Sequence, residues 1–400
     1  MRPPVIESIK IENYRVLQNV EIRNLKPFTV LLGPNGSGKS TLFDVFAFME
    51  TCFTLGVRTA WDRRGGLRQL RSRNSNGAVA IQISYREKPR ERLLTYRLEI
   101  TEERGRPVVS REWLRWTVSP AQGRPRHILD FQNGAGYVVD EETASAQQEA
   151  LDGPDKLAVN ALGQFKSHRR VAALRRFISG WYLSYLSVAE ERQSPVAGPQ
   201  EKLSQSGDNI SNVLQFLKEN HPERLSAVID ALRETVPALE RIDYDTSPDG
   251  RLVLFIKDAP FDDSVLASNA SDGTLKLLSY LTLLYDPAPA PFIGIEEPEN
   301  HLYPTVLPGL ADQCRQASER SQVLVTTHSH DFVNSCKPDE VIALYRGKDG
   351  YTRVVRPHTI PLVTDMLENG ALLGTLWQEN YFDDLPSPKT PVAEVEGKEQ

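Results

Sequence analysis

The run Gly33-Pro34-Asn35-Gly36-Ser37-Gly38-Lys39-Ser40 has the residue types and spacing to hold a chain of phosphates. It fits the pattern G-x-x-x-x-G-K-[ST]. Its glycines let the backbone curl until several N–H groups converge on an anion, and a helix that starts there adds its dipole. The nucleotide-binding set is therefore Asn35, Gly36, Ser37, Gly38, Lys39, Ser40 and Thr41. Lys39 would reach the β- and γ-phosphates and take part in catalysis, and the Ser40 hydroxyl would ligate Mg²⁺. The expected cofactors are ATP and Mg²⁺.

Two further groups of residues could complete that chemistry. Phe292-Ile293-Gly294-Ile295 is an apolar run that ends in Glu296-Glu297-Pro298-Glu299. A strand beside a phosphate loop commonly ends in a carboxylate that holds Mg²⁺ through water, and a second carboxylate orients or deprotonates the attacking water. Glu296 takes the metal role and Glu297 the catalytic one. Asp is usual at the first position, and Mg²⁺ geometry is strict, so Glu296 leaves the hydrolysis rate open. Thr326-Thr327-His328-Ser329-His330 follows another apolar run. A histidine at the C-terminal edge of a sheet strand can touch a terminal phosphate. His328 comes straight off the strand and is the catalytic candidate; His330 is read as a solvated turn residue. Ser271-Asp272-Gly273 precedes an apolar helix. Ser271 or Asp272 can cap that helix, and a free helix N-terminus with a small hydroxyl also binds phosphate, so Ser271 joins the cofactor-binding candidates.

These residues need elements to position them. Phe28 to Leu32 reads as a buried strand into the loop, and Thr41 to Met49 as the helix out of it. Residues 5–32 suggest a small β-meander of short strands. Alternation in 78–85, 93–100 and 108–118 predicts an antiparallel sheet with one wet face. Residues 145–240 read as mostly helical, with a loop over 191–208. From 241 to 350, strands alternate with helices, which implies a largely parallel sheet covered on both sides. The expected division is 1–50, 51–125, a mostly helical insertion 126–245, 246–355, a docking segment 356–383 and a disordered tail 384–400.

Composition narrows the class. The net charge of −6 gives no global basic field, although Arg63 to Arg73 and His168 to Arg176 are local basic stretches that could meet nucleic-acid phosphates or an acidic surface. Trp113 and Trp116 would face opposite sides of a strand, which argues against a stacking platform. Three widely spaced cysteines, Cys52, Cys314 and Cys336, indicate neither a disulfide framework nor a zinc site. No apolar run reaches the ~18 residues of a membrane span. A cytoplasmic protein is expected.

Gly33 to Thr41, Ser271-Asp272-Gly273, Glu296 to His301 and Thr327-His328-Ser329 lie in the order and spacing of ABC-type ATPases of the RecF/SMC/OLD group, which this chain resembles. The opening Ile6 to Arg15 is similar to that group's first strand and "N-[FY]-[RK]" turn. The resemblance covers 5–50 and 265–345 well and the middle poorly. It implies an α/β phosphate-loop NTPase with an ABC-type head and an inserted β plus helical region. It also implies a homodimer or higher homo-oligomer around ATP, in which Ser271 and Gly273 of one copy cap the nucleotide at Lys39 of the other. Asn300 and His301 would lie in the loop that crosses that interface. A metal-side glutamine is expected after the loop helix, with Gln82 the first candidate and Gln69 the second. About 70 residues follow His328, too few for the Toprim nuclease domain that OLD nucleases carry. An effector such as a nuclease would then be a separate polypeptide. DNA is a candidate partner, in repair, recombination or anti-phage defence, and a membrane is not. The alternative is a slowly hydrolysing scaffold or sensor that regulates a partner without touching DNA.

Overall fold

The computed structural model describes residues 3–116, 126–141, 143, 145–236 and 238–382. Three sheets carry the chain. The first has eight antiparallel strands: β1 (Val5–Tyr14), β2 (Leu17–Arg23), β4 (Val79–Arg86), β5 (Leu94–Glu103), β6 (Arg106–Trp116), β7 (His127–Gln132), β8 (Ala135–Val139) and β9 (Ala146–Ala150), in the order β2-β1-β4-β5-β6-β7-β8-β9. The second holds β3 (Phe28–Leu32), β10 (Tyr182–Ser184), β14 (Phe292–Glu296), β15 (Gln322–Thr327), β16 (Val341–Arg346) and β17 (Thr352–Val355), in the order β10-β14-β15-β3-β16-β17. All its pairs are parallel except the edge pair β16–β17. A small third sheet joins β11 (Leu239–Thr246), β12 (Leu252–Asp258) and β13 (Val265–Leu266).

The burial pattern explains the layering. Every residue of β3 is buried, as a strand covered on both faces requires. Leu31, Phe292, Leu324 and Ile342 share one core with helix α1 (Lys39–Thr54) and the eight-stranded sheet. Val30, Leu32, Ile293, Ile295, Val323 and Val325 share the other with the helices Asp272–Leu284 and Leu307–Ala317. Helix α1 is apolar almost all round, since it lies between two sheets.

Two expectations about the elements change. Residues 5–32 are not one meander: β1 and β2 form a hairpin in the first sheet, while β3 crosses into the second and pairs with β15 and β16. The antiparallel sheet does not stop at 125 either, because β7, β8 and β9 extend it into the stretch read as the start of a helical insertion. The β7–β8 turn is Asn133-Gly134, both at positive φ (50° and 85°). Asn-Gly favours this kind of hairpin, so the signal was in the sequence. Helices do occupy the stretches around Ala158–Leu162, Arg169–Ser179, Ile210–Asn220 and Pro222–Thr235. The tail 384–400 lies outside the described residues. Among those residues, no helix is long and apolar enough to cross a membrane.

Candidate functional site

The phosphate loop joins β3 to α1, and its shape depends on what surrounds it. A Cβ on Gly33 would collide with the Leu344 carbonyl, and one on Gly38 with the Thr352 hydroxyl. Gly38 also has φ 108°, a region that L side chains rarely adopt. Thr352 donates its hydroxyl to the Ser37 carbonyl at 2.8 Å, so β17 braces the loop from outside. Lys39 is only 4% exposed; its ammonium donates to the carbonyls of Gly33 (2.7 Å) and Pro34 (3.2 Å). Burial lowers its pKa, against the pull of Glu297, Glu299 and Glu296. The Ser37 hydroxyl is buried without a hydrogen-bond partner. A glycine cradle, an ammonium folded over it and an unmatched buried hydroxyl fit a phosphate chain. Asn35, Gly36 and Ser40 are exposed at the rim, and Thr41 is half-buried.

Parallel pairing brings the remaining groups to the same edge. In register, Thr327 lies opposite Leu32 and Glu296 opposite Thr326, so β3, β15 and β14 end level with one another. Burial raises the Glu296 carboxyl above its ordinary range, and a hydrogen bond from Ser40 opposes the rise. Ser40 and Glu296 are thus neighbours. Among the described residues no group of three or more His, Cys, Asp or Glu could hold a metal ion. Mg²⁺ accepts few protein ligands and keeps waters and phosphate oxygens, so this pair suits it.

Glu297 takes a left-handed conformation, φ 44°, which costs a non-glycine residue roughly 1–3 kcal/mol. Its N–H donates to the Thr326 carbonyl at 2.9 Å, and its carboxylate accepts from Asn300 at 3.3 Å. His328 Nδ1 lies 3.5 Å from Glu297 and 3.2 Å from Glu299. Glu299, whose residue type and position alone give it no role, holds the turn together. It accepts from the Thr327 hydroxyl and the His328 N–H, both at 2.8 Å. The turn Glu-Pro-Glu was visible; its bond to a turn 28 residues away was not. His330 starts a short helix and faces Asp331 at 3.3 Å.

Ser271 and Gly273 find other partners. Ser271 caps the helix Asp272–Leu284, accepting from the Thr274 N–H at 3.1 Å. A Cβ on Gly273 would come within 3.0 Å of the His301 carbonyl. His301 Nδ1 lies 3.5 Å from Asp272. The turn therefore packs against its own 300–301 loop, and none of these contacts reaches the phosphate loop.

Gln82 does not occupy the metal side. It sits in mid-strand on β4, flanked by Lys10 and Arg97. Its neighbours Ile81 and Ile83 point into the core that contains α1, so alternation turns Gln82 to the opposite face. Gln69 instead lines a cleft of about 630 Å³ with Arg15, Arg63, Arg64, Arg68, Arg71, Arg73, Arg346 and Tyr351. That cleft borders the loop through Val16 and β17, since the Thr352 N–H donates to the Val16 carbonyl at 2.9 Å. Arg15 and Arg64 both pair with Asp44 of α1, at 2.9 and 2.7 Å. The other basic stretch is partly internal: His168 is buried, and Arg170 pairs with Glu87 and lies over Trp116. Residues 370–377 dock on the chain's own core, where the Gly374 N–H donates to Asn334 at 2.8 Å.

A phosphate loop, a parallel sheet ending in two carboxylates and a histidine, and an antiparallel sheet across α1 define a phosphate-loop ATPase with an ABC-type head. Residues 5–167 match the family described as "AAA ATPase domain", and residues 150–334 the family described as "AAA domain, putative AbiEii toxin, Type IV TA system". An Smc head bound to the C-winged helix domain of ScpA is similar in fold. It has a TM-score of 0.56 and 17% identity, over 88% of this chain and 97% of that one. A second Smc head, derived from Pyrococcus furiosus and bound to the C-terminal domain of ScpA, gives 0.51 and 16%, over 91% and 100%. Among curated proteins none matches. Two AAA-type ATPase domain families thus match successive parts of the chain, and its fold is similar to that of the Smc heads.

Proposed function

We propose that the protein binds and hydrolyses Mg-ATP at Gly33–Thr41 and uses it to close a homodimer. One observation carries this reading. Lys39, Ser40, Glu296, Glu297 and His328 converge on one sheet edge, while Ser271 and Gly273, the remaining phosphate-binding candidates, contact Thr274 and the 300–301 loop and not the phosphate loop. One chain then holds a hydrolytic half-site and a separate capping half-site, and two copies supply a whole one. The nucleotide brings the phosphoanhydride bond, and Mg²⁺ brings charge neutralisation. Lys39 would exchange its two carbonyl partners for phosphate oxygens. Ser40 and Glu296 would hold the metal. Glu297, fixed by Thr326 and Asn300, would orient or deprotonate water, with His328 held beside it by Glu299. The arginine-lined cleft beside Val16 has room for the rest of the nucleotide.

We further propose that closure acts as a conformational switch in a DNA transaction such as repair, recombination or anti-phage defence, through a separately encoded effector. The match of 150–334 to a family described by a toxin–antitoxin system supports a defence role. Smc heads bound to domains of ScpA are precedent for a second polypeptide. The test is the solution mass of Glu297→Gln by light scattering, with and without Mg-ATP. A monomer-to-dimer shift is expected. Constant mass with nucleotide bound would remove the dimer switch and leave a scaffold ATPase.

A further inference from the structure

Residues 184–192 form a strap between the two half-sites. At one end Ser184 closes β10, in register with Ile295, one residue short of Glu296. Ser184 is 3% exposed, and its hydroxyl has no hydrogen-bond partner. It lines a cavity of about 310 Å³ shared with Lys276, Glu296, Glu297 and His301. Midway, the Leu186 carbonyl accepts from Lys276 on the helix Asp272–Leu284. At the far end the Arg192 guanidinium donates to the carbonyls of Ser268 and Ala270, the latter at 2.9 Å, and to the Asp272 carboxylate at 2.6 Å. These three acceptors lie on both sides of Ser271. A single planar fork therefore fixes the backbone that presents Ser271 and Gly273, a task that a lysine's point charge does less well.

We propose that Arg192 is a positioning residue. It holds the Ser271–Gly273 turn in the shape that a second copy's nucleotide needs, and the strap ties that shape to the Glu296 side of its own site. This rests on the dimer reading above. It assigns to the strap the place beside the metal carboxylate that Gln82 does not fill.

The experiment uses the full chain in the Glu297→Gln background, with Arg192→Ala and Arg192→Lys added separately. Three quantities are read: affinity for a fluorescent ATP analogue at protein concentrations where the chain is monomeric, the protein concentration at half-dimerisation in Mg-ATP, and the thermal midpoint. Arg192→Ala should keep analogue affinity within about twofold. It should raise the half-dimerisation concentration about tenfold or more, as expected for lost hydrogen bonds to a charged group. Arg192→Lys should fall between. Dimerisation equal to the parent would overturn the proposal. So would a joint fall in analogue affinity, thermal midpoint and dimerisation, the mark of a residue that only holds the fold together. If the parent itself stays monomeric with ATP bound, the dimer reading fails first and the positioning role fails with it.

Discussion

Two helix N-termini in this molecule begin with a glycine and a serine near a phosphate-binding motif, and they are built in opposite ways. The phosphate loop ahead of α1 is closed in. Its glycines are pressed by Leu344 and Thr352, and its lysine is buried. The turn ahead of the helix Asp272–Leu284 is open. Ser271 and Asp272 are exposed, Gly273 is half-buried, and the serine hydroxyl is used on its own helix. The first is held in shape by the chain's own contacts. The second is a cap that becomes a site only if something else is brought to it. A closed loop confers affinity, whereas an open turn can confer dependence on a second copy.

That contrast can be broken at several points, with effects of decreasing size. Lys39→Ala should abolish hydrolysis and weaken nucleotide binding; wild-type turnover in that variant would remove the loop from the mechanism. Glu297→Gln should keep ATP bound while turnover falls on the order of a hundredfold or more, as for loss of a general base. Unchanged turnover would move the base elsewhere. Ser271→Ala should leave nucleotide affinity of the monomer unchanged and lower stability by about 1 kcal/mol through the lost cap. Its turnover should fall steeply on dilution, because its defect lies in pairing. A fall in monomer affinity would mean that the turn serves its own site.

The pH dependence separates the two regions as well. Burial raises the folded Glu296 pKa, and Mg²⁺ needs the carboxylate. The concentration of Mg²⁺ that half-supports ATP binding should therefore rise as pH falls, starting above the ordinary Glu range near ~4.3. The sign for stability is opposite. The native state without metal favours the protonated form, so this contribution is present at low pH and is lost as pH rises through the folded pKa. Titrations of Mg²⁺ against pH would check the first and metal-free unfolding against pH the second, each with Glu296→Gln as the pH-insensitive control. Gln82→Ala should be the smallest effect, with no change in Mg²⁺ dependence; a shift would return Gln82 to the metal side.

Much of the phosphate loop was legible because its chemistry is contiguous. Gly38 needs positive φ, Lys39 opens the helix, and β3 is an unbroken apolar run. The Glu296–Glu297 strand end and His328 were legible for the same reason. Gln82 misled because alternation on β4, a matter of which face packs on α1, outranks spacing along the chain. The Asn133-Gly134 hairpin was overlooked although its residues announce it. Neither the Glu299 bonds to the 327–328 turn nor the Arg192 grip left a local signal: each is one charged residue among many until the fold supplies its acceptor or donor.

Sequence alone determined the phosphate loop, the acidic strand end and a cap at Ser271 or Asp272, since backbone dihedral preferences and short-range hydrogen bonds act between neighbours. Only the tertiary structure decided that Lys39, Glu296 and His328 share one edge, that Gln82 faces away from it, and that Arg192 grips the Ser271 turn. Those outcomes depend on parallel strand register and on which faces are buried, and these are settled by contacts between residues tens to hundreds of positions apart.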